Sequence, residues 1–522
     1  MVVAKSWWRV NGDATNTTIT TQLVIALVVL WPLSLLTRTV YSFIRRCLAF
    51  RSAQIQHACQ QPPSYPHKGW FGFDLLKERK IASDNGRSLG HYDDWFAKLG
   101  DTWEETIGGQ RLINTVDFAN VRVVFNADMA TLGRAGAFHK NDFLGPGIFS
   151  SDGPRWKASR DMIKPLFNRA QVRSNAMFKR HVDRLIEQLP RDGTTIDVQP
   201  LLKKMNFDAV AEFIFGRSTD SLVPGTQYSN GEFIEAFNYA NAGSLKRRKA
   251  GRLAFVHMLD TEYPKSVKMV HQFVDDEVKR VLKELHSPAD QLDKPSSHYV
   301  LLDEIAKHVQ DPLTLRYETL NLFAGGRDGV AVLVANALFC IVRKPGLWQA
   351  LREVALDLDA DAELDLDSKP LRRFRNLIYE TIRSTGPSAT ITRTAFQDTI
   401  LPSGGGPDGK SPIFMAKGDQ VCVCGWVCNH IESVWGSDAF DFEPDRWNQL
   451  KQIPPEFVPF GGGRRICPAY HQVYLQSAYV IIRLAQEFRH IENRDPVLEY
   501  VELDRNLTES RNGALVALFA AE

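Results

Sequence analysis

The chain has 522 residues, room for about three average domains or one unusually large core, and its 44% hydrophobic, 24% charged and 10% aromatic composition excludes a disordered or fibrous protein. Its 63 Lys and Arg against 61 Asp and Glu leave a formal charge of +2, too balanced for a protein that works by neutralising a phosphate backbone, so nucleic acid is not an expected partner. Cys47, Cys59, Cys340, Cys422, Cys424, Cys428 and Cys467 form no regular framework, which argues against a disulfide-stapled secreted domain and for a reducing compartment.

From Ile19 to Leu36 eighteen residues carry no charge, long enough for a tilted transmembrane helix that tolerates Pro32. A cleaved signal peptide is disfavoured because the run ends in bulky Leu35 and Leu36 followed by Arg38. Arg38, Arg45, Arg46 and Arg51 follow the span, against Lys5, Arg9 and Asp13 before it, so the positive-inside rule puts the C-terminal part in the cytosol. The Asn16-Thr17-Thr18 sequon sits too close to the membrane to be used. The expected organisation is a short lumenal N-terminus (1–18), a single anchor (19–37), a basic linker (38–60) and one globular domain (61–522), entered through the stiff, extended run Pro62-Pro63-Ser64-Tyr65-Pro66.

The globule reads as mainly helical, with short strands near 103–124 and in 387–430, where Gly404 to Gly409 mark a tight loop. Trp156 and Arg160, four apart, share one face of a helix. Lys246, Arg247, Arg248 and Lys249, with Arg252, read as a membrane-surface or solvated patch. His286–Ser297 and Asp357–Asp367 read as surface loops; the second fails as a calcium loop because Ala362 and Ser368 stand where Gly and Glu are required.

Asp311 and Pro312 signal a helix start, and the pattern continues to Arg343, about 50 Å at 1.5 Å per residue. Arg327 and Asp328 interrupt it, so it reads as a buried core helix and not as a second membrane span. Gly325, Gly326 and Gly329 flank that pair at a propensity cost of about 2–3 kcal/mol, the kind of local conflict that marks a site.

Glu380 and Arg383 stand three apart on one helix face, by themselves an ordinary surface pair. Cys422, Cys424, Cys428 and His430 match no zinc spacing, and the Val421–Cys424 alternation reads as a buried strand. The sharpest signal is Phe460-Gly461-Gly462-Gly463-Arg464-Arg465-Ile466-Cys467-Pro468-Ala469. Its glycines let the backbone lie flat against a large planar ligand, and Pro468 reads as the first position of a helix whose N-terminus lowers the Cys467 thiol pKa and leaves a thiolate to bind iron. Arg465 is then placed to pair with an acidic group of that ligand.

This ten-residue arrangement resembles the cysteine-ligand loop of the cytochrome P450 family, departing from it in Ala469 where Gly is usual. The resemblance implies heme b with Cys467 as axial ligand to the iron, held in a cradle that includes Phe460, Gly463 and Arg465. Trp156 and Arg160 match the family's propionate-contacting helix, while after Pro387 only Arg393 stands near the usual propionate arginine. Phe442-Glu443-Pro444-Asp445-Arg446-Trp447 looks like the family's loop that adds Arg446 to Glu380 and Arg383, a buried cluster that locks the cysteine loop. Gly325 and Gly326 then form an oxygen-binding notch beside the proton-relay acid Asp328, but Gly329 and Val330 occupy positions where threonines are usual.

Within the family, YPHKGWFGFD, LGPGIFSSDGPRWKASR, GGGPDGKSPIFMAKGD and EFVPFGGGRRICPAY are similar to the fungal alkane and fatty-acid hydroxylases. The resemblance, which runs from Pro62 to the C-terminus, implies a mainly α fold with small β-sheets behind the single anchor, with 61–522 as the heme-binding catalytic domain. It further implies a monooxygenase on the cytosolic face of the endoplasmic reticulum, oxidising a hydrophobic lipid-like or polyketide-like substrate, in fungal secondary metabolism as one setting. Electrons come from a separate NADPH-cytochrome P450 reductase, with cytochrome b5 as a second candidate donor. Gly329 keeps two alternatives open: an enzyme that rearranges a peroxide, and a heme sensor without turnover.

Overall fold

A computed structural model describes residues 44–127, 130–134, 142–170, 175–226, 231–286, 299–359, 364–387 and 389–520, together with Ser34, Thr37, Val40 and Tyr41. The Asn16 sequon, and the expected anchor apart from Ser34 and Thr37, lie outside the described residues, as do residues 287–297 and 360–363 of the two expected surface loops.

Helices dominate, as the sequence predicts, and the helix Gly329–Ile341 is their centre. Every residue from Val330 to Ile341 is buried, as an apolar surface on all sides of a helix demands. Among the described residues, Pro312–Ile341 is the one stretch long and apolar enough to cross a bilayer, but 72% of its most apolar window is buried inside the protein, so it is the expected core helix. It packs on the helices Val198–Phe215, Arg372–Thr385 and Tyr470–Glu487. A second apolar cluster, rich in Phe, joins Phe207, Phe215, Phe237 and Phe323.

One difference bears on function: the expected unbroken helix ends at Gly326 and restarts at Gly329. Its start is as predicted, with Asp311 capping the Thr314 N–H at 2.8 Å and Pro312 in the first turn.

The principal sheet holds five strands, β1 (Thr102–Ile107), β2 (Gln110–Thr115), β3 (Leu132–Gly133), β4 (Thr390–Ala395) and β5 (Gln420–Cys424), in the order β1-β2-β5-β4-β3. All neighbours are antiparallel except β2 and β5, which pair Leu112 with Gln420. The first strand region is shorter than expected, because Asp117 caps the Asn120 N–H and converts Phe118–Asn126 to helix. Cys422 and Cys424 are buried in β5, as their alternation predicts.

Two N-terminal segments are more closely integrated than a linker and spacer would be. Residues 44–57 are helical, and Ala53 and Cys59 pack against Phe414 and Ala416. Arg45 pairs with Asp398 at 3.0 Å and Arg46 with Asp419 at 2.9 Å, so the basic residues read as linker charge hold this helix on the body. The proline run is extended, but it bonds to β1: the Tyr65 N–H donates to the Glu104 carbonyl, and the Glu104 N–H to the Pro63 carbonyl, both at 2.8 Å.

Candidate functional site

The loop from Phe460 to Ala469 is closed by the Cys467 N–H donating to the Phe460 carbonyl at 3.1 Å. Gly461 (φ 74°) and Gly463 (φ 61°) adopt left-handed backbone conformations. Gly462 and Gly463 are also tight against Phe125, in the last turn of the helix Phe118–Asn126: a Cβ on Gly462 would lie 2.9 Å from the Phe125 ring. These glycines therefore serve close backbone packing as well as any flat ligand.

The following helix starts at Tyr470 with Ala469 as its N-cap, two residues later than predicted from Pro468. Cys467 thus precedes the helix, and its sulfur accepts the Ala469 N–H. Burial pushes the thiol pKa up, and the Ala469 N–H and the Arg160 charge only partly offset this, so the expected lowered pKa is corrected: desolvation wins over the helix end. A metal on the sulfur displaces the proton outright.

Around the thiol stands an excess of buried positive charge. Trp156 and Arg160 lie on the helix Gly153–Ala170, 6% and 7% exposed, and the Arg465 guanidinium stacks over the Trp156 ring at 4.5 Å. Arg465 donates to the Ser151 carbonyl at 3.2 Å and pairs with the Asp152 carboxylate. Burial and the nearby Arg465 charge push Arg393 down to about 10, while burial and the charges of Arg393 and Arg465 push Arg134 to about 9. Arg160 has no hydrogen-bond partner among the described residues. Asp152 is the carboxylate facing Arg134, Arg393 and Arg465, so the cluster suits a ligand carrying more than one negative charge. Sequence reasoning missed Arg134 and Asp152, whose loops meet Arg465 only through the fold.

The glycines of the broken helix leave room on the same region of the protein. A Cβ on Gly325 would meet nothing within 4 Å, one on Gly326 would touch Val210 at 3.4 Å, and one on Gly329 would touch Val473 at 3.8 Å. None of the three has positive φ, so neither backbone nor packing requires glycine there. Asp328, read as a proton-relay acid, is paired with Arg327 at 2.9 Å, and Arg327 also donates to Asn238. Asn206, from Val198–Phe215, donates its side-chain amide to the carbonyls of Gly326 and Arg327; the sequence carries no signal for this contact.

Glu380, Arg383 and Arg446 do come together, and the first two have no exposed side-chain surface. Glu380 accepts from Arg383 Nε and Nη2 at 2.9 and 2.8 Å and also from the Glu443 N–H and the Trp447 indole. Arg383 and Arg446 spend their remaining donors on carbonyls of Asn429, Ala439, Asp441, Trp435 and Asp438. Trp447 packs on Phe457 at 4.9 Å and Tyr474 on Phe460 at 5.1 Å, which carries this frame to the cysteine loop.

Among the described residues no group of three or more His, Cys, Asp or Glu side chains is arranged to hold a metal ion. A cleft of about 380 Å³ between Tyr263, His271, Asp275 and Arg316 shares no residue with the Cys467 region. A soft sulfur donor, an arginine cluster suited to carboxylates and side-chain-free helix positions together fit an iron porphyrin.

Comparison with known proteins agrees. The family model described as Cytochrome P450 matches residues 63–507. Cytochrome P450 monooxygenase apdE of Emericella nidulans is 32% identical over 476 residues, 89% of each chain. Cytochrome P450 monooxygenase iccC of Talaromyces variabilis is 31% identical, covering 89% of this chain and 93% of its own. Cytochrome P450 52A3-B of Candida maltosa is 33% identical, covering 84% and 87%.

Proposed function

Because this chain belongs to the cytochrome P450 family and is a heme-dependent monooxygenase of that family, we propose that Cys467 is the axial thiolate ligand. The observation that carries this reading is the Cys467 thiol in its closed loop beside the Arg134, Arg393 and Arg465 cluster. When bound, the heme supplies dioxygen activation, with electron donation from the sulfur. Arg160, Arg393 and Arg465, joined by Arg134, would hold its propionates, with Trp156 stacked on Arg465 to keep it in place. Phe460 and Gly463 shape the loop around the sulfur, and Glu380, Arg383 and Arg446 brace it from behind.

Gly325 and Gly326, whose missing side chains leave room, would give dioxygen space. Arg327 holds Asp328 as an ion-paired acid at the helix break. Gly329 brings no hydroxyl, so a proton reaches this notch through a water or through a polar group of the substrate itself.

The substrate is hydrophobic, lipid-like or polyketide-like, within fungal secondary metabolism; the resemblance of the chain to fungal relatives supports this. Residues 19–37 anchor the chain in the endoplasmic reticulum membrane with domain 61–522 in the cytosol, supported by the charge-free run and the arginines after it. Phe255, Val256, Met258 and Leu259, the last 92% exposed, support a further contact with lipid. NADPH-cytochrome P450 reductase, and cytochrome b5 beside it, deliver electrons at the Cys467 face.

The decisive experiment is the reduced carbon-monoxide spectrum. Cys467→Ser abolishes the thiolate-type band, while Cys428→Ser keeps it. The reverse pattern would overturn the ligand assignment.

A further inference from the structure

The helix begun at Pro312, the distal one on this reading, is broken between Gly326 and Gly329, and a break in a buried helix has a small set of causes: proline, glycine, a Ser or Thr side chain bonding back to its own helix, or a foreign group inserted into the ladder. From Leu320 to Ile341 the helix contains no Pro, Ser or Thr. Thr319 does bond back, to the Leu315 carbonyl, but that is two turns upstream. Gly325, Gly326 and Gly329 make this turn easy to open, and the group that takes its carbonyls is the Asn206 side chain.

Asn206 stands on the helix Val198–Phe215 and is fully buried. Its Nδ2 donates to the Gly326 carbonyl at 3.2 Å and to the Arg327 carbonyl, so these oxygens turn toward a neighbouring helix and away from the ladder. Its Oδ1 is buried and has no partner among the described residues, a polar atom that a bound water would satisfy. Burying an amide with its acceptor oxygen unused is unfavourable, so a group that satisfies it is expected at this site.

We propose that Asn206 is the positioning residue that holds the distal helix open, taking from outside the helix the part that a hydroxyl at position 329 or 330 would play from within it. This rests on the reading of Gly325–Gly329 as the oxygen-binding notch. Asn206 touches neither substrate nor cofactor; it sets the backbone groups that receive the proton-carrying water. A hydroxyl became dispensable at Gly329 because the opening is built by a different element.

The test uses the full-length holoenzyme, Asn206→Leu, Gly329→Thr and the double variant, read by amide hydrogen exchange at residues 328–332 and by product formed per NADPH consumed. In Asn206→Leu the ladder closes, those amides exchange about tenfold more slowly and coupling falls several-fold. In the double variant the introduced threonine hydroxyl bonds back to the preceding turn, and both exchange and coupling return toward the parent. Unchanged exchange in Asn206→Leu, or no recovery in the double variant, overturns the proposal. Should Asn206→Leu fail to fold, Asn206→Ala takes its place: slower exchange at 328–332 than in the parent supports the proposal, and unchanged exchange overturns it. A parent without the thiolate-type carbon-monoxide band would overturn the functional reading instead, leaving the exchange result to judge Asn206.

Discussion

Gly463 faces the carbonyl oxygen of Phe125 so closely that a Cβ on Gly463 would lie 2.1 Å from it. Gly463 also has φ 61°, so both space and backbone conformation require glycine. In Gly463→Ala the left-handed backbone costs about 1–2 kcal/mol and the clash with a main-chain atom adds to it, since no side chain can rotate away. We expect purified Gly463→Ala to carry far less heme per protein than the parent. Gly325→Ala, whose Cβ meets nothing within 4 Å in the protein, should load heme normally. Equal loading of Gly463→Ala and the parent would show that the loop does not need the Phe125 contact.

The Glu380–Arg383–Arg446 frame predicts a purely structural phenotype. Glu380 and Arg383 have no exposed side-chain surface, and removing one partner leaves a buried charge without compensation. Arg446→Leu should destabilise the protein by about 3–5 kcal/mol in denaturant unfolding, and Glu380→Gln by a similar amount. The molecules that still fold should show an unaltered carbon-monoxide band. A change of band without loss of stability would assign the frame an electronic role.

What was legible in the sequence was what lies close together along it. The Phe460–Ala469 loop declares itself because glycine spacing and a cysteine sit within ten residues, and the core helix because its apolar run is unbroken by charge after Asp328. The Glu380–Arg383 pair alone read as a surface pair, and only its likeness to a family motif pointed to burial. Arg134, Asp152 and Asn206 were invisible, since Arg134 and Asp152 reach Arg465, and Asn206 the carbonyls of Gly326 and Arg327, across more than a hundred residues of chain. The late helix start at Tyr470 and the docking of residues 44–57 were missed for a different reason: local propensity and charge say where a helix or linker is permitted, and tertiary packing decides.

That docking changes what a soluble version should look like. The ring centroids of Phe50 and Phe414 are 6.4 Å apart, the Gln60 N–H donates to the Pro412 carbonyl at 2.8 Å, and Arg46 reaches Asp419. A chain starting at Gln61 should still bind heme, because Asp419 keeps Arg111 at 3.1 Å, but should lose about 2 kcal/mol relative to a chain starting at Val40, from newly exposed Phe414 and Ala416. Thermal unfolding of the two proteins decides this, and identical midpoints would show that the helix 44–57 contributes nothing to the domain.

The last prediction concerns pH. Glu502 is buried, with its carboxylate accepting the Leu89 N–H at 2.6 Å, and burial, reinforced by the nearby Asp93 charge, pushes it up to about 7. Asp93 accepts from the Trp426 indole at 2.8 Å, and burial pushes it up to about 6. Both acids hold a proton more tightly folded than unfolded, where carboxyls titrate near 4. Between pH 4 and pH 7 the folded protein therefore binds more protons, and stability falls as pH rises through this window. The contribution is fully present below about pH 4 and gone above about pH 7, where each carboxylate is charged in an apolar site. A tenfold change in proton affinity is worth about 1.4 kcal/mol, so each acid contributes on the order of 3 kcal/mol. Glu502→Gln imitates the protonated acid and keeps an acceptor for Leu89, so its stability should depend less steeply on pH than the parent's between 5 and 7.5 and exceed it at the upper end. Denaturant unfolding of both proteins across that range measures the difference. Parallel curves would mean that Glu502 is already relieved of its charge, or already hydrated, in the folded protein.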